Sequence, residues 1–159
     1  MSRVLLVCTG NICRSPLAEA LILRELKARG IENVEAVSAG TGAWDGAPAS
    51  EGAYLIGLEH DLDLSGHRAR LLTRDMVQQA ELILTMARHH RARVHELGGE
   101  GRTHVLGEYA GRTGPEAEVS DPFGGDLELY RATYTELEAL IRAAVERLES
   151  ELRDTGRRD

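Results

Sequence analysis

A short apolar run, Val4-Leu5-Leu6-Val7, leads directly into Cys8-Thr9-Gly10-Asn11-Ile12-Cys13-Arg14-Ser15-Pro16, and a helical pattern follows. The run suits a strand buried on both faces of a parallel sheet. Pro16 suits a first helical turn, with Ser15 as the candidate cap. The loop between them therefore crosses the carboxyl edge of a strand and ends at a helix N-terminus. Free N–H groups and the helix macrodipole favour an anion there. A phosphoryl group fits such a cradle, which Thr9, Gly10, Asn11, Ile12, Cys13, Arg14 and Ser15 would form.

Cys8 and Arg14 bring complementary chemistry to this loop. Only a thiolate is a useful sulfur nucleophile, and clustered N–H donors, a helix terminus and the Arg14 cation all favour that form. Arg14 offers a planar fork that can hold two phosphoryl oxygens as charge shifts in the transition state. Gly10 is read as allowing a close approach that a side chain would obstruct. Asn11 tolerates left-handed geometry, and its amide can tie the loop together. The bland alternative is a buried, inert Cys8 beside a loop that only turns a corner.

The string Cys-Thr-Gly-Asn-Ile-Cys-Arg-Ser-Pro resembles the signature of the low-molecular-weight protein tyrosine phosphatases. Val37-Ser38-Ala39-Gly40, Ser65-Gly66-His67-Arg68-Ala69-Arg70 and Ser120-Asp121-Pro122-Phe123-Gly124-Gly125 are similar to that family's other landmarks, in the same order. The resemblance covers nearly the whole chain, from about residue 3 to about residue 150. It implies that Cys8 is the nucleophile, Arg14 the clamp and Asp121 the general acid. It also implies that Ser38 and His67 buttress the loop through Asn11, that Ser15 donates to the Cys8 sulfur, and that Trp44 stands beside a substrate ring. Family resemblance supports a redox pairing of Cys8 with Cys13; the residues alone leave Cys13 as either a guard or an inert packing group.

Composition narrows the field. A chain of 159 residues fits one domain, read here as residues 1–152 with a charged, frayed tail over 153–159. No apolar run approaches the ~20 residues of a membrane span, and no cleavable leader is apparent. Two cysteines five positions apart cannot staple a fold, and an unprotected nucleophilic thiol suits a reducing, cytoplasmic setting. A net charge of −7 argues against a nucleic-acid partner. The resemblance implies phosphorylated proteins as partners; no metal or other cofactor is expected, and the oligomeric state is left open.

The rest of the chain alternates strand and helix. Strands are expected at Val34–Ser38, Leu82–Leu84 and Thr103–Leu106, and helices at Leu17–Arg29, Ala49–Leu58, after Met86 and from Asp126 onward. This gives a doubly wound α/β domain, a four-stranded parallel sheet with helices on both faces, and the resemblance supplies the order 2-1-3-4. His89, His90 and His95 lie among arginines and read as a solvated helical face instead of metal ligands. The stretch from Gly107 to Ser120 reads as a mobile polar rim that delivers Asp121. An Asp-Pro pair alone is usually a turn starter. Beside a cysteine nucleophile, one carboxyl group can protonate the leaving oxygen and then activate water.

Three competing functions share some of these features. A protein-arginine phosphatase resembles this chain also in its Asp-Pro-Phe-Gly-Gly segment and the helix after it. That branch carries threonine where this chain has Ile12, so the apolar pocket of Ile12, Trp44 and Phe123 points to an aryl substrate. Gly124 replaces the family's second tyrosine after Asp-Pro, which removes that site of phosphorylation. An arsenate reductase of this type needs further cysteines, and none follows Cys13. A phosphopeptide-binding module would have no use for the thiol.

Overall fold

The computed structural model describes the backbone of residues 2–158 and the side chains of residues 2–154. Four strands, β1 (Ser2–Cys8), β2 (Val34–Gly40), β3 (Leu82–Thr85) and β4 (Thr103–Val105), form one parallel sheet in the order β2-β1-β3-β4. The helices are α1 (Arg14–Ala28), α2 (Glu51–Glu59), α3 (Arg74–Gln79), α4 (Arg88–Glu96), α5 (Leu106–Tyr109) and α6 (Leu127–Arg158). Central β1 pairs on both edges, so its backbone leaves no free ladder and its side chains alternate between two cores. Val4, Leu6 and Cys8 face the core built with α1 and α6; Leu5 and Val7 face a smaller one containing Val77, Ile83 and Val94. Cys8 thus continues the inward alternation of β1 and is delivered buried to the carboxyl end of the sheet.

Several local expectations need correction. Strand β2 extends two residues beyond Ser38 to Gly40, which stands opposite Cys8. Leu106 starts α5 instead of ending β4, and α3 adds a helix in a stretch for which no element was expected. Helix α6 runs on through the charged end to Arg158, and Asp159 lies outside the described residues. Asp126 caps α6 by accepting from the Leu129 N–H at 2.9 Å. The rim between Gly107 and Ser120 is built and anchored, because it contains α5 and a 3-10 turn over Gly114–Ala117. Ala117 and Val119 are buried, and the Val119 N–H donates to the Met86 carbonyl. Gly107 is required there, since a Cβ would come within 2.0 Å of the Ala117 carbonyl oxygen. Among the described residues no helix is long and apolar enough to cross a membrane.

The histidine reading holds for His89, which is exposed, and fails for His90, which is 0% exposed. The helical turn aims His90 inward, where its Nδ1 accepts the Ala87 N–H at 3.0 Å and so closes the open start of α4. Burial, with the nearby His89 and Arg14 charges, pushes its pKa down to about 3 from an ordinary 6.5. Between those values the unfolded chain binds a proton that the folded ring refuses, so stability is complete above about 6.5 and falls on acidification. The loss amounts to at most about 1.4 kcal/mol per pH unit. Denaturant titration at about pH 7 and about pH 4.5 should show this loss in the wild type and less of it in His90→Asn, whose amide can still accept from Ala87. Equal pH dependence in both proteins would remove His90 as its source.

Candidate active site

The loop from Cys8 to Arg14 closes around Asn11. Its φ of 55° turns the chain back so that its own N–H donates to the Cys8 sulfur at 3.2 Å. Its fully buried side chain uses every polar atom: Nδ2 donates to Ser15 Oγ at 2.8 Å and to Ser38 Oγ at 2.9 Å, and Oδ1 accepts the Arg70 N–H at 3.0 Å. The Asn11 carbonyl accepts from His67 Nε2 at 2.6 Å. Ser38 and His67 therefore meet the loop through Asn11. Because Ser15 Oγ already accepts from Asn11, its own hydrogen is free for the Cys8 sulfur, 2.9 Å away.

Two residue readings change here. Ser15 is not the helix cap; α1 starts at Arg14 with Cys13 at the cap position and no side chain satisfying its first N–H groups. Gly10 is not the crowded glycine, since a Cβ there would make only ordinary contact with Ile12 at 3.5 Å. Gly40 is. A Cβ on Gly40 would lie 2.4 Å from the Thr9 carbonyl oxygen and 2.9 Å from the Asn11 nitrogen, inside the backbone of the cradle itself.

Arg14 is 4% exposed and points back under the loop. Its Nη1 donates to the Val119 carbonyl at 2.9 Å, Nη2 reaches Thr9 Oγ1 at 3.5 Å, and Nε is buried with no hydrogen-bond partner among the described residues. A buried cation with an unpartnered donor is costly, and an oxyanion in the cradle would complete it. Asp121 approaches the same guanidinium, its Oδ2 lying 3.6 Å from Nη2. Its other oxygen accepts the Phe123 N–H at 3.0 Å, so Asp121 starts a turn and faces Arg14 at once. At half exposure this ion pair is screened and leaves Asp121 open to the cleft.

The cleft above Cys8 has a volume of about 310 Å³. Thr9, Gly10, Ile12, Cys13 and Arg14 form its floor, and Ile12, Trp44, Ala47 and Phe123 its apolar walls. Trp44 and Phe123 are 83% and 67% exposed, so they stand as a rim and not in the core. Asn11 and Ser15 lie beneath the floor, fully buried. Cys13 Sγ contacts Ser50 Oγ at 3.2 Å and the Tyr130 hydroxyl at 3.4 Å. Burial pushes the Cys13 thiol above its ordinary pKa, although both hydrogen bonds oppose this.

Sequence reasoning missed Gly40, the Val119 carbonyl, the Ser50–Tyr130 pair and His90, whose Nε2 lies 2.8 Å from Thr9 Oγ1. Only Gly40 carried a local signal, a glycine closing a strand opposite the cysteine. Among the described residues no cluster of three or more His, Cys, Asp or Glu could hold a metal ion.

Comparison with known proteins gives a consistent answer over the length of the chain. Residues 3–154 match the family described as low molecular weight phosphotyrosine protein phosphatase. The chain is 39% identical over 153 residues to the low molecular weight protein-tyrosine-phosphatase Wzb of Escherichia coli K12, covering 94% of this chain and 97% of that one. It is 36% identical to a protein-arginine-phosphatase of Geobacillus stearothermophilus, with 94% and 97% covered. The crystal structure of a low molecular weight protein tyrosine phosphatase from T. tengcongensis superposes with a TM-score of 0.84 at 39% identity, covering 92% of this chain and 99% of the other. A family match over residues 3–154 and relatives aligned over nearly their whole length agree with the sheet order and the loop: the chain is a member of the low-molecular-weight phosphotyrosine protein phosphatase family.

Proposed function

We propose that the chain is a protein tyrosine phosphatase acting through a cysteinyl-phosphate intermediate. The buried Arg14 fork carries this reading, because Nε has no partner while Nη1 is already held by Val119. Nε and Nη2 are thus the edge available to two phosphoryl oxygens, with loop N–H groups for the remaining charge. The Cys8 sulfur attacks phosphorus in line, an S–P bond forms, and the bond to the tyrosyl oxygen breaks as Asp121 protonates that oxygen. Water then attacks, giving its proton to Asp121, and the S–P bond breaks. Ser15 donates to the departing sulfur. The net reaction consumes one water and yields tyrosine and phosphate. Asn11, with Ser38 and His67 behind it, keeps the floor in shape; its backbone N–H meets the Cys8 sulfur at 3.2 Å, and its side chain is used up by Ser15, Ser38 and Arg70. Phosphorylated proteins are the substrates, and the unprotected nucleophilic thiol suits the reducing cytoplasm.

Cys8→Ser should lose turnover while still binding orthophosphate, since Arg14 and the loop donors remain. Asp121→Asn should lose far more rate on alkyl phosphates than on activated aryl phosphates, which depart without a proton, by roughly the 10²-fold or more of general acid catalysis. Turnover by Cys8→Ser, or equal Asp121→Asn losses on both substrates, would remove the corresponding role.

The arginine-phosphatase reading uses the same cradle and fits the name of one relative, so the cleft walls must decide. Ile12 offers hydrocarbon where a guanidinium needs a polar partner, and burying an aryl ring against Ile12, Trp44 and Phe123 is worth on the order of 1–3 kcal/mol. Wild type should therefore prefer phosphotyrosine over phosphoarginine peptides in kcat/KM, and Ile12→Thr should move the ratio toward phosphoarginine. A wild type that prefers phosphoarginine would overturn the substrate assignment.

Cys13 acts as a redox guard in this proposal. Oxidant converts the Cys8 thiolate to a sulfenic acid, and the Cys13 thiol condenses with it to a disulfide and water. Peroxide-treated wild type should regain activity with a thiol reductant, and Cys13→Ser should regain less. Equal recovery would make Cys13 a packing residue only.

A further inference from the structure

His90 is a fully buried titratable side chain for which the reaction sequence above has no task. Both of its ring nitrogens are engaged. Nδ1 lies 3.0 Å from the Ala87 backbone nitrogen, which can only donate, so Nδ1 accepts and carries no proton. The one proton of a neutral imidazole then sits on Nε2. Nε2 is 2.8 Å from Thr9 Oγ1, so this hydrogen bond runs from the ring to the hydroxyl. Arg14 Nη2, also a donor only, reaches the same oxygen at 3.5 Å. The Thr9 oxygen thus accepts from both groups, and its own hydrogen is directed away from both. Thr9 is exposed where it lines the cleft together with Cys8, Arg14 and Asp121.

We infer that His90 is a positioning residue for phosphoryl transfer: as a fixed Nε2–H tautomer it orients the Thr9 hydroxyl, which steadies the Nη2 arm of Arg14 and turns its hydrogen toward the phosphoryl oxygens. The inference rests on the phosphatase reading and adds one donor to the cradle. Two features of the site demand such a device. The Nη2 arm has Asp121 as a rival acceptor at 3.6 Å, and an arm drawn to the carboxylate would leave the phosphoryl group. A threonine hydroxyl also rotates freely unless something fixes it, and a fixed donor costs no reorganisation when charge develops. A protonated ring could not do this, because Nδ1–H would meet the Ala87 N–H. The pKa of about 3 keeps the ring neutral at working pH.

Three variants separate this role from packing. His90→Asn keeps an acceptor for Ala87 and cannot reach Thr9. His90→Gln keeps a donor for Thr9 and gives up Ala87. Thr9→Val removes the hydroxyl at nearly constant shape. With p-nitrophenyl phosphate, kcat should fall about 10-fold in His90→Asn and in Thr9→Val, the scale of one lost hydrogen bond, with KM within about twofold. The double variant should be no slower than the worse single one, because the two residues act as a unit. His90→Gln should recover kcat to within about threefold of wild type while lowering Tm. Orthovanadate, which takes the five-coordinate geometry of the transition state on a thiolate, should lose the same ~10-fold in affinity in the two impaired variants, with orthophosphate nearly unaffected. A His90→Asn protein with wild-type kcat and vanadate affinity but a lower Tm would overturn the inference, as would additive losses in the double variant. A wild type that fails to hydrolyse the ester, with the ~10-fold vanadate loss still seen in the two variants, would sink the phosphatase reading and leave His90 as the residue that orients Thr9 toward a bound oxyanion.

Discussion

Asn11 in the left-handed conformation is the constraint on which the rest of the site depends. A loop that must present successive N–H groups to one point has to reverse direction within a few residues, and the reversal here falls on Asn11 at φ 55°. Asparagine tolerates that geometry better than most residues but still at some cost. The surroundings over-determine it: two hydroxyls, one backbone N–H and one imidazole hold its side chain and carbonyl. Those partners come from α1, β2 and the segment before α3, so the fold must be largely complete before the cradle has its shape. Gly40 belongs to the same constraint, since β2 can lie against the reversed loop only without a Cβ at that point.

Arg14 is the electrostatic counterpart. Its guanidinium is almost wholly removed from water, yet it receives one carbonyl, one distant hydroxyl and one screened carboxylate, which do not match its five donors. Such a group is destabilising in isolation and becomes favourable when an anion fills the cradle. The fold tolerates this because the cost sits on a helix N-terminus packed between a central strand and the long α6. Cores on both faces of β1, made of buried and mostly aliphatic side chains, supply the stability that offsets such a site.

How much of this was legible in the sequence follows from the range of the forces involved. The order of elements, the buried β1 and the capped α6 rest on periodicity and local capping, which one stretch of chain reports about itself. Cys8, Arg14, Asn11 and Asp121 stood out because the first three share one loop with a chemical logic and the fourth stands in an Asp-Pro turn, and the structure brings Cys8, Arg14 and Asp121 to one cleft. His90 did not. It lies in Arg88-His89-His90-Arg91-Ala92-Arg93, whose composition reads as solvent-facing, and a single inward residue on a short polar helix leaves no periodic trace. The rim from Gly107 to Ser120 misled for a related reason. Its glycines suggested mobility, whereas Gly107 is there so that two backbone segments can touch.

The same comparison explains why the cleft walls are soft where its floor is rigid. Buried Asn11, Arg14 and Ser15 back the floor and are cross-bonded from at least three elements, so its geometry is fixed before substrate arrives. Trp44 and Phe123 stand on loops with most of their surface in water, and each aromatic face there is area awaiting a partner. A ring entering beside them would bury apolar surface against both side chains without demanding a fixed sequence around it. Under the proposed function the floor would carry the chemistry and the rim the selectivity. Ile12 is the one side chain belonging to both, since its backbone is part of the cradle and its hydrocarbon is part of the wall. Under the proposed function, a change at that position would alter which phosphorylated group is accepted while Cys8, Arg14 and Asp121 stay where they are.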